Sequence, residues 1–325
     1  DPTKGAGFGI GSPLAAALAW RGIARWWLGR PGWRQDLHDA IAMARRSNHP
    51  TTLAGVLNWT YGAAIIYGVL RADDAAVRAS EEAVEIAEAS SNDVALILAE
   101  YTLGVALLSR DAAADRRRGL ELMVQFREMV RERGPFLVPV SELWAARERA
   151  RRGDGDAAIP VMRQAMDELH QAGRLGYGVM GTGLLVETLL ERGTEGDLAE
   201  AQNAIDRLTN LLADEGWAVR EITLLRLRAL LARARGDDVA YRDLVGRYRA
   251  MAADLGFEGH MAMAELDDVR VGIVVEFYDA ADVLPVAMAS SATVIVDESG
   301  RAQCHRRLPA ARDQRAAGRT RVDSP

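Results

Sequence analysis

Residues 94–111 read VALILAEYTLGVALLSRD. Apolar side chains in this stretch recur mostly three or four positions apart, at Val94, Leu96, Ile97, Tyr101, Val105 and Leu108. That spacing puts them on one face of a helix, so the stretch predicts a buried helix that ends at the short turn Arg110-Asp111. The same helix-and-turn pattern returns along the chain, which indicates a repeated helical unit.

Six short turns that follow alanine- or leucine-rich helices set the period of the repeat. They are predicted at Gly29, Ala72, Asp111, Gly153, Gly196 and Gly236. Their separations of 43, 39, 42, 43 and 40 residues give a period of about 41. Most of these turns contain some of the same residue types. Arginine interacts favourably with the negative end of the helix dipole, and glycine can adopt the left-handed backbone conformation that ends a helix. Aspartate can then cap the next helix by accepting hydrogen bonds from its backbone N–H groups. Each unit therefore reads as a helical hairpin that buries its apolar face only when stacked on its neighbours.

Two units match the tetratricopeptide pattern more closely than the others. Leu103-Gly104 followed by Leu107 resembles the first-helix signature of that repeat, and Ala146 and Ala158 supply small residues where two helices approach closely. The predicted fold class is all-α, a tetratricopeptide-like helical-hairpin solenoid of about six hairpins. A short, β-prone and partly disordered tail is expected to follow it.

Composition divides the chain into four predicted segments. They are a linker at 1–13, the tetratricopeptide-like repeat domain at 14–265, a β-prone segment of unknown role at 266–300, and a basic, disordered tail at 301–325. Within the β-prone segment, the runs 269–278 and 292–297 are rich in β-branched residues and predict short strands. The tail carries seven arginines against two aspartates, which favours a solvated segment.

Charge and cysteine content narrow the classes of partner and compartment. A formal net charge of −6 disfavours specific nucleic-acid binding, which needs a basic face. Cys304 is the single cysteine, so an intramolecular disulfide is excluded and a reducing, cytoplasmic location is expected. The longest apolar run, 56–70, is too short and too polar to span a bilayer, which takes about 20 apolar residues. We therefore expect no membrane partner.

No motif in the sequence predicts a catalytic centre, a metal site or a cofactor. The glycine-rich run 5–11 lacks the spacing of a nucleotide-binding loop and is interpreted as a linker before a helix start at Ser12-Pro13. The five histidines do not have the spacing of metal ligands. The acidic run 81–88 is interpreted as a solvated helix face rather than an acid–base pair.

Aromatic side chains are the candidate ligand- or partner-binding residues. They are Trp20, Trp27, Trp59, Tyr61, Tyr101, Trp144 and Tyr177. Burial in the core is the ordinary explanation for such residues. The alternative is an aromatic-lined groove on the concave face of the solenoid, which could hold a protein, a peptide or a small effector. The sequence leaves both possibilities open.

Three stretches resemble the C-terminal tetratricopeptide-like region of multidomain regulators from high-GC bacteria. Those LuxR-like regulators join a class III adenylate or guanylate cyclase domain to a STAND-type ATPase domain. The stretches are GSPLA with LAWRGIARWWLGRPGW within 11–33, ETLLERG at 187–193, and LRLRALLARARGD at 225–237, continuing at 248–252 and 255–260. The resemblance extends over 8–265.

The resemblance implies a non-catalytic sensing or protein-interaction module beside upstream cyclase and ATPase domains. The cyclase's metal-binding aspartates and the ATPase's P-loop have no counterpart in this sequence, so neither activity is carried over. Two alternatives remain. One is a stand-alone tetratricopeptide scaffold that binds a peptide or partner protein, and the other is an enzyme with an unrecognised site.

Overall fold

The computed structural model describes residues 11–133, 135–211 and 216–265, together with two strands at 293–296 and 302–305. The chain divides into two compact units, Asp1–Val269 and Arg270–Pro325. The described part of the first unit is built from helices, which confirms the predicted all-α hairpin solenoid.

Helices in the first unit pair into six hairpins. These are α1 (Pro13–Trp27) with α2 (Trp33–Ser47); α3 (Pro50–Leu57) and α4 (Ala63–Ile66) with α5 (Asp74–Ala89); α6 (Asp93–Leu108) with α7 (Ala113–Arg133); α8 (Val138–Arg151) with α9 (Gly155–Gln171); α10 (Leu175–Arg192) with α11 (Glu195–Asn210); and α12 (Ala218–Ala234) with α13 (Asp238–Leu255). A π-helical turn, Asn58–Gly62, joins α3 to α4, a 3₁₀ turn, Pro135–Leu137, precedes α8, and a further helical stretch covers 258–265.

The two helices of a hairpin differ in how they are buried. In α6, a first helix, every residue from Tyr101 to Leu108 is buried, so neighbours surround the helix on all sides. In α9, a second helix, burial follows one stripe that includes Ala158, Met162 and Ala165. A helix apolar all round lies inside the protein, whereas a striped helix has one face in water. First helices such as α6 therefore form the inner layer and second helices such as α9 the outer layer, whereas α1 keeps an exposed face that carries Leu14 and Trp20.

Close approach of helices depends on small residues, as the sequence predicted for Leu103-Gly104. A Cβ added to Gly104 would lie 2.5 Å from the terminal methyl of Met123 on α7. A Cβ added to Gly119 would lie 3.0 Å from the carbonyl oxygen of Gly104. Side chains at these two glycines would force α6 and α7 apart.

The left-handed glycine is confirmed at three of the predicted turns, and the predicted aspartate cap is confirmed at Asp237. Gly29, Gly153 and Gly236 have left-handed φ values of 65°, 94° and 74°. Asp73 and Asp237 cap α5 and α13 by accepting backbone N–H bonds of 2.8 and 3.0 Å. The predicted helix start is also confirmed, because α1 begins at Pro13 behind the cap Ser12.

One predicted turn is misplaced. Gly196 lies inside α11, and the left-handed glycine that ends α10 is Gly193. Thr194 caps α11 in a capping box with Asp197, so this aspartate acts from the third helical position rather than from the cap. Asp154 precedes α9 but makes no side-chain cap; its carboxylate instead accepts a bond from Arg149 at 2.7 Å.

Hydrogen bonds between neighbouring hairpins reproduce the period of the sequence. Many of them join side chains 36 to 44 positions apart, close to one repeat. Examples are Asn58 with Thr102, Arg110 with Asp74, Arg118 with Glu81, Arg147 with Thr188, Arg163 with Glu200, and Arg192 with Asp156. Equivalent positions of successive hairpins therefore lie side by side.

The second unit contains an antiparallel pair of strands. Strand β1 (Thr293–Val296) pairs with β2 (Ala302–His305), with Thr293 opposite His305 and Val296 opposite Ala302. The first strand confirms the prediction for 292–297. The second was not predicted, because its residues are not β-branched and backbone bonding to β1 requires no such side chains. The predicted strand at 269–278 lies outside the described residues.

Candidate binding site at the seam between the first and last hairpins

The first and last hairpins meet through aromatic and small side chains, a contact termed the seam. The ring of Trp27, at the end of α1, lies edge-on to that of Trp217, just before α12, with centroids 4.9 Å apart. Beside it, a Cβ added to Gly29 would lie 3.0 Å from side-chain atoms of both Ala218 and Leu255. The two ends of the repeat domain are thus in van der Waals contact.

A set of hydrogen bonds, termed the clasp, ties the chain after α13 to the first two hairpins. The indole nitrogen of Trp33 donates to the carbonyl oxygen of Leu255 at 3.4 Å. The guanidinium of Arg34 donates to the carbonyl of Gly256 at 2.5 Å and to a carboxylate oxygen of Glu258 at 2.6 Å. These bonds satisfy carbonyl groups at the end of α13 that the helix itself leaves open.

Two backbone hydrogen bonds complete the clasp. The N–H groups of Glu258 and His260 donate to the carbonyls of Val69 and Gly68 at 3.0 and 2.8 Å. Gly259 lies between the two donors, and a Cβ there would be 2.6 Å from the carbonyl oxygen of Gly68. Only glycine permits this approach, so the clasp depends on the residue type at position 259.

His260 is buried beneath the clasp. Its Nδ1 lies 2.9 Å from the hydroxyl of Tyr248, which is also 3.0 Å from the His260 carbonyl. Burial, and secondarily the positive charge of Arg226, lower the pKa of His260 to about 3. The ring is therefore neutral in the folded protein over the physiological range.

Four aromatic residues at the seam form a partly open cluster, termed the aromatic recess: Trp27, Tyr67, Tyr177 and Trp217. The ring of Tyr67 lies edge-on to Trp27 at 4.8 Å. Gly176 packs against this cluster, because a Cβ there would be in ordinary van der Waals contact with the Tyr67 hydroxyl at 3.6 Å and with the Trp27 ring at 3.8 Å. The recess combines residues from the first, second, fifth and sixth hairpins.

The recess lies deep in the protein and yet stays accessible. Burial raises the pKa of both Tyr67 and Tyr177, and the nearby Tyr177 adds to the shift at Tyr67. All four rings are nevertheless only partly buried. Among the described residues, their two hydroxyls and two indole nitrogens make no hydrogen bond to the protein.

A network of ion pairs joins the first helices of three hairpins. Arg147 of α8, only 4% exposed, donates to both carboxylate oxygens of Glu191 at 2.5 and 2.7 Å and to Glu187 at 3.2 Å. Arg226 of α12 also donates to Glu187. Burial opposes ionisation of Glu187, but Arg226 and Arg147 outweigh it and lower its pKa to about 2. A carboxylate with so low a pKa is a poor proton carrier near neutrality, so the network is structural.

The structure brings only two of the predicted aromatic residues, Trp27 and Tyr177, into the recess. Trp20, Trp59 and Tyr61 form a second group near the π-helical turn. Trp20 is 54% exposed, and its ring centroid is 5.1 Å from that of Trp59. Tyr61 is partly buried.

Tyr101 and Trp144 belong to the core rather than to an open groove. Each is only 6% exposed, and the Tyr101 ring packs 4.7 Å from Phe126. Their hydroxyl and indole nitrogen are buried without a partner in the described part of the chain. Both residues are therefore core residues in the structure, and a binding role for them stays a prediction.

Sequence reasoning missed Tyr67 and Trp217 as members of the site. Trp27 and Trp217 are 190 positions apart (217 − 27), and no local pattern links residues at such a distance. The ion-pair network did leave a signal, because Arg147 and Glu187 are 40 positions apart, which is one repeat. Opposite charges at equivalent positions of successive hairpins could have predicted it.

Within the described ranges, no group of three or more His, Cys, Asp or Glu side chains is placed to hold a metal ion. None of the described helices combines the length and apolarity needed to cross a membrane. No protein-family model matches this chain, and no curated protein matches it.

Proposed function

We propose that this chain is a non-catalytic sensing and interaction module that binds an effector in the aromatic recess. The observation that supports it most is the meeting of Trp27 and Trp217 in a place that is deep but accessible. An effector touching both rings contacts the first and last hairpins at once. Such an effector would bind more tightly when the two hairpins are in contact than when they are apart. The difference between the two binding free energies is the amount by which it stabilises the contact.

The resemblance to cyclase–ATPase regulators supports the idea that this module acts next to cyclase and ATPase domains of a longer protein. Beside those domains, in the cytoplasm, the state of the seam would bias how the attached domains are oriented. Aromatic clusters with a few unpaired polar atoms are typical of small-molecule sites. This combination favours an effector-binding role over a purely structural one.

A stand-alone scaffold for a peptide or partner protein is the second candidate function. It is favoured by Trp20, whose exposed ring pairs with Trp59, because exposed tryptophans are enriched where proteins bind each other. A mutation distinguishes the effector-binding function from the scaffold function. Trp20→Ala would weaken partner binding under the scaffold hypothesis and leave effector binding in the recess unchanged.

The effector hypothesis can be tested with 1-anilinonaphthalene-8-sulfonate, a dye whose fluorescence rises in apolar sites. Gly176→Leu places a side chain in the recess, while Gly183→Leu on the same helix meets nothing within 4 Å of its Cβ. We expect saturable binding of one dye per chain to the wild type and to Gly183→Leu. We expect at least tenfold weaker binding to Gly176→Leu.

Helical circular dichroism and urea unfolding must first establish that both variants are folded, because the same dye binds loosely packed states. Equal dye affinity in the two variants would contradict the proposal. So would weak binding at many sites in the folded wild type.

A further inference from the structure

The exposed side of α1 is apolar except for one arginine. Five side chains three or four positions apart form this surface, termed the α1 stripe: Leu14, Ala17, Arg21, Ala24 and Leu28. Leu14 and Leu28 are 45% and 47% exposed, and Trp20, which is 54% exposed, borders the stripe. Such spacing puts the five side chains on one side of the helix. The described residues leave this side of α1 uncovered.

The equivalent side of two later first helices is buried. A left-handed glycine lies two positions after the end of α1, α8 and α12, namely Gly29, Gly153 and Gly236. Trp20 and Ala24 precede Gly29 by nine and five positions (29 − 20 and 29 − 24). At the same distances before the other two glycines, the residues are all buried: Trp144 and Glu148 in α8, and Leu227 and Leu231 in α12.

A contact in α8 shows what covers this side of a first helix. Glu148, the counterpart of Ala24, accepts a 3.1 Å hydrogen bond from Arg116 of α7, the second helix of the preceding hairpin. The α1 stripe therefore corresponds to the surface on which one hairpin stacks against another. A repeat that ends a stack usually has a polar outer face there. Because the α1 stripe is apolar instead, it is suited to a further helical layer.

The single charge of the α1 stripe is held to one side. Arg21 donates to the two carboxylate oxygens of Asp36 in α2 at 3.0 and 2.6 Å. These bonds keep the guanidinium against α2, and the methylene groups of such a side chain can pack on apolar surface. An opposing helix therefore needs no carboxylate at the centre of the contact.

The order of residue types in the α1 stripe indicates which helix opposes it. Leucine, alanine, arginine, alanine and leucine follow one another in the same order from either end of the stripe. A contact about a two-fold axis must be self-complementary, and this order meets that requirement. The alanines on both sides of the centre allow two helices to approach closely, and the leucines extend the apolar contact at both ends.

We propose that the α1 stripe is a homodimer interface, on which the α1 stripe of a second copy of this chain packs antiparallel. Leu14 lies near Leu28 of the second copy, and Ala17 lies near Ala24 of the second copy. The 15 residues of α1 make a helix about 22 Å long. One face of such a helix buries less than the about 800 Å² per partner of a standard interface, so we expect a dissociation constant on the order of 10–100 μM. The dimer does not depend on an effector in the aromatic recess.

Sedimentation velocity of the full chain, over concentrations that span the expected dissociation constant, tests the proposal by mass action. We expect a reversible shift from monomer to dimer in the wild type. Ala17→Arg and Ala24→Arg should each weaken the dimer at least tenfold, because each brings a second positive charge beside Arg21 into the contact. Val239→Arg, at a 74% exposed apolar position of α13, is the matched control and should change the dissociation constant less than twofold.

The control and the stripe variants must have the helical circular dichroism of the wild type. A wild type that stays monomeric at ten times the highest expected dissociation constant would overturn the proposal and leave the stripe to a helical layer from a different polypeptide. A dimer that both stripe variants leave intact would show that another surface forms it.

Disulfide trapping tests the antiparallel orientation in a Cys304→Ser background. Ala17→Cys and Ala24→Cys chains should form a covalent dimer when they are mixed and oxidised. Neither should do so alone, because in the antiparallel arrangement identical positions lie about 10 Å apart along the helices, beyond the reach of a disulfide. Efficient trapping of Ala17→Cys with itself would contradict the antiparallel packing.

Discussion

Arg34 in α2 donates a 2.6 Å hydrogen bond to Glu258, which follows it by 224 positions. The same guanidinium lies 4.4 Å over the ring of Trp33 and donates to the carbonyl of Gly256. Both charged side chains are about half exposed, so the ion pair alone contributes at most about 1 kcal/mol. The importance of Arg34 lies in its position, since it joins the two ends of the repeat domain.

Arg34→Ala should therefore open the clasp more often without unfolding the hairpins. Hydrogen exchange measured by mass spectrometry should become faster in peptides covering 256–261, whose Glu258 and His260 amides bond to the second hairpin. The free energy of unfolding should fall by about 1 kcal/mol. The control is Arg247→Ala on α13, which breaks an exposed ion pair with Asp243. Equal exchange rates in the two variants would show that Arg34 does not hold the clasp.

The buried ion-pair network predicts a larger effect. Arg147→Met removes a guanidinium that is 4% exposed and leaves Glu191 and Glu187 without their shared partner. Glu187 keeps its bond from Arg226 and Glu191 is 45% exposed, so the loss should be about 2 kcal/mol, as for hydrogen bonds to a charged group, and urea unfolding can measure it. Arg163→Met, which breaks the exposed pair with Glu200, should cost less than about 1 kcal/mol. Similar losses for the two variants would contradict a structural role for the network.

The repeat could be predicted from the sequence because residues close together in the chain determine where each helix begins and ends. Helical spacing, left-handed glycines and cap residues each act within a few positions, and together they fixed five of the six turns. The misplaced turn had a readable signal, since Thr194 and Asp197 have the spacing of a capping box.

The seam could not be predicted in the same way. Whether the first and last hairpins meet depends on small rotations added over six hairpins, and no single residue pattern encodes their sum. Trp27 and Tyr101 look alike in sequence, as aromatic residues on first helices. In the folded chain Trp27 lies at the seam and is partly accessible, whereas Tyr101 lies in the core.

Close packing within a hairpin gives a third prediction. Ala158 on α9 is fully buried and belongs to the continuous core cluster that also contains Ala146 of α8. Ala158→Trp should force the helices apart and lower the melting temperature, with a loss of about 1–3 kcal/mol or more. Thermal unfolding followed by circular dichroism measures it. Ala75→Trp, at an exposed position of α5, is the matched control. An unchanged melting temperature for Ala158→Trp would mean that this face is not packed.

Burial of His260 gives the protein a stability that depends on pH. Its pKa is about 3 when folded and near 6.5 when exposed, so between these values the unfolded chain binds a proton that the folded chain does not. The free energy of unfolding therefore keeps its full value above pH 6.5. It decreases as the pH falls from 6.5 towards 3, because protonation of His260 favours the unfolded chain. The loss between pH 7 and pH 5 should be about 2 kcal/mol.

Urea unfolding at pH 7 and pH 5 measures that loss. The low pKa of Glu187 affects stability only below about pH 4.5, so the two effects separate. His260→Gln keeps a polar group beside Tyr248 but cannot titrate, and it should abolish most of the difference between the two pH values. His38→Gln, whose side chain is 79% exposed in the wild type, should preserve it. If His260→Gln keeps the full pH dependence, groups other than this histidine carry it.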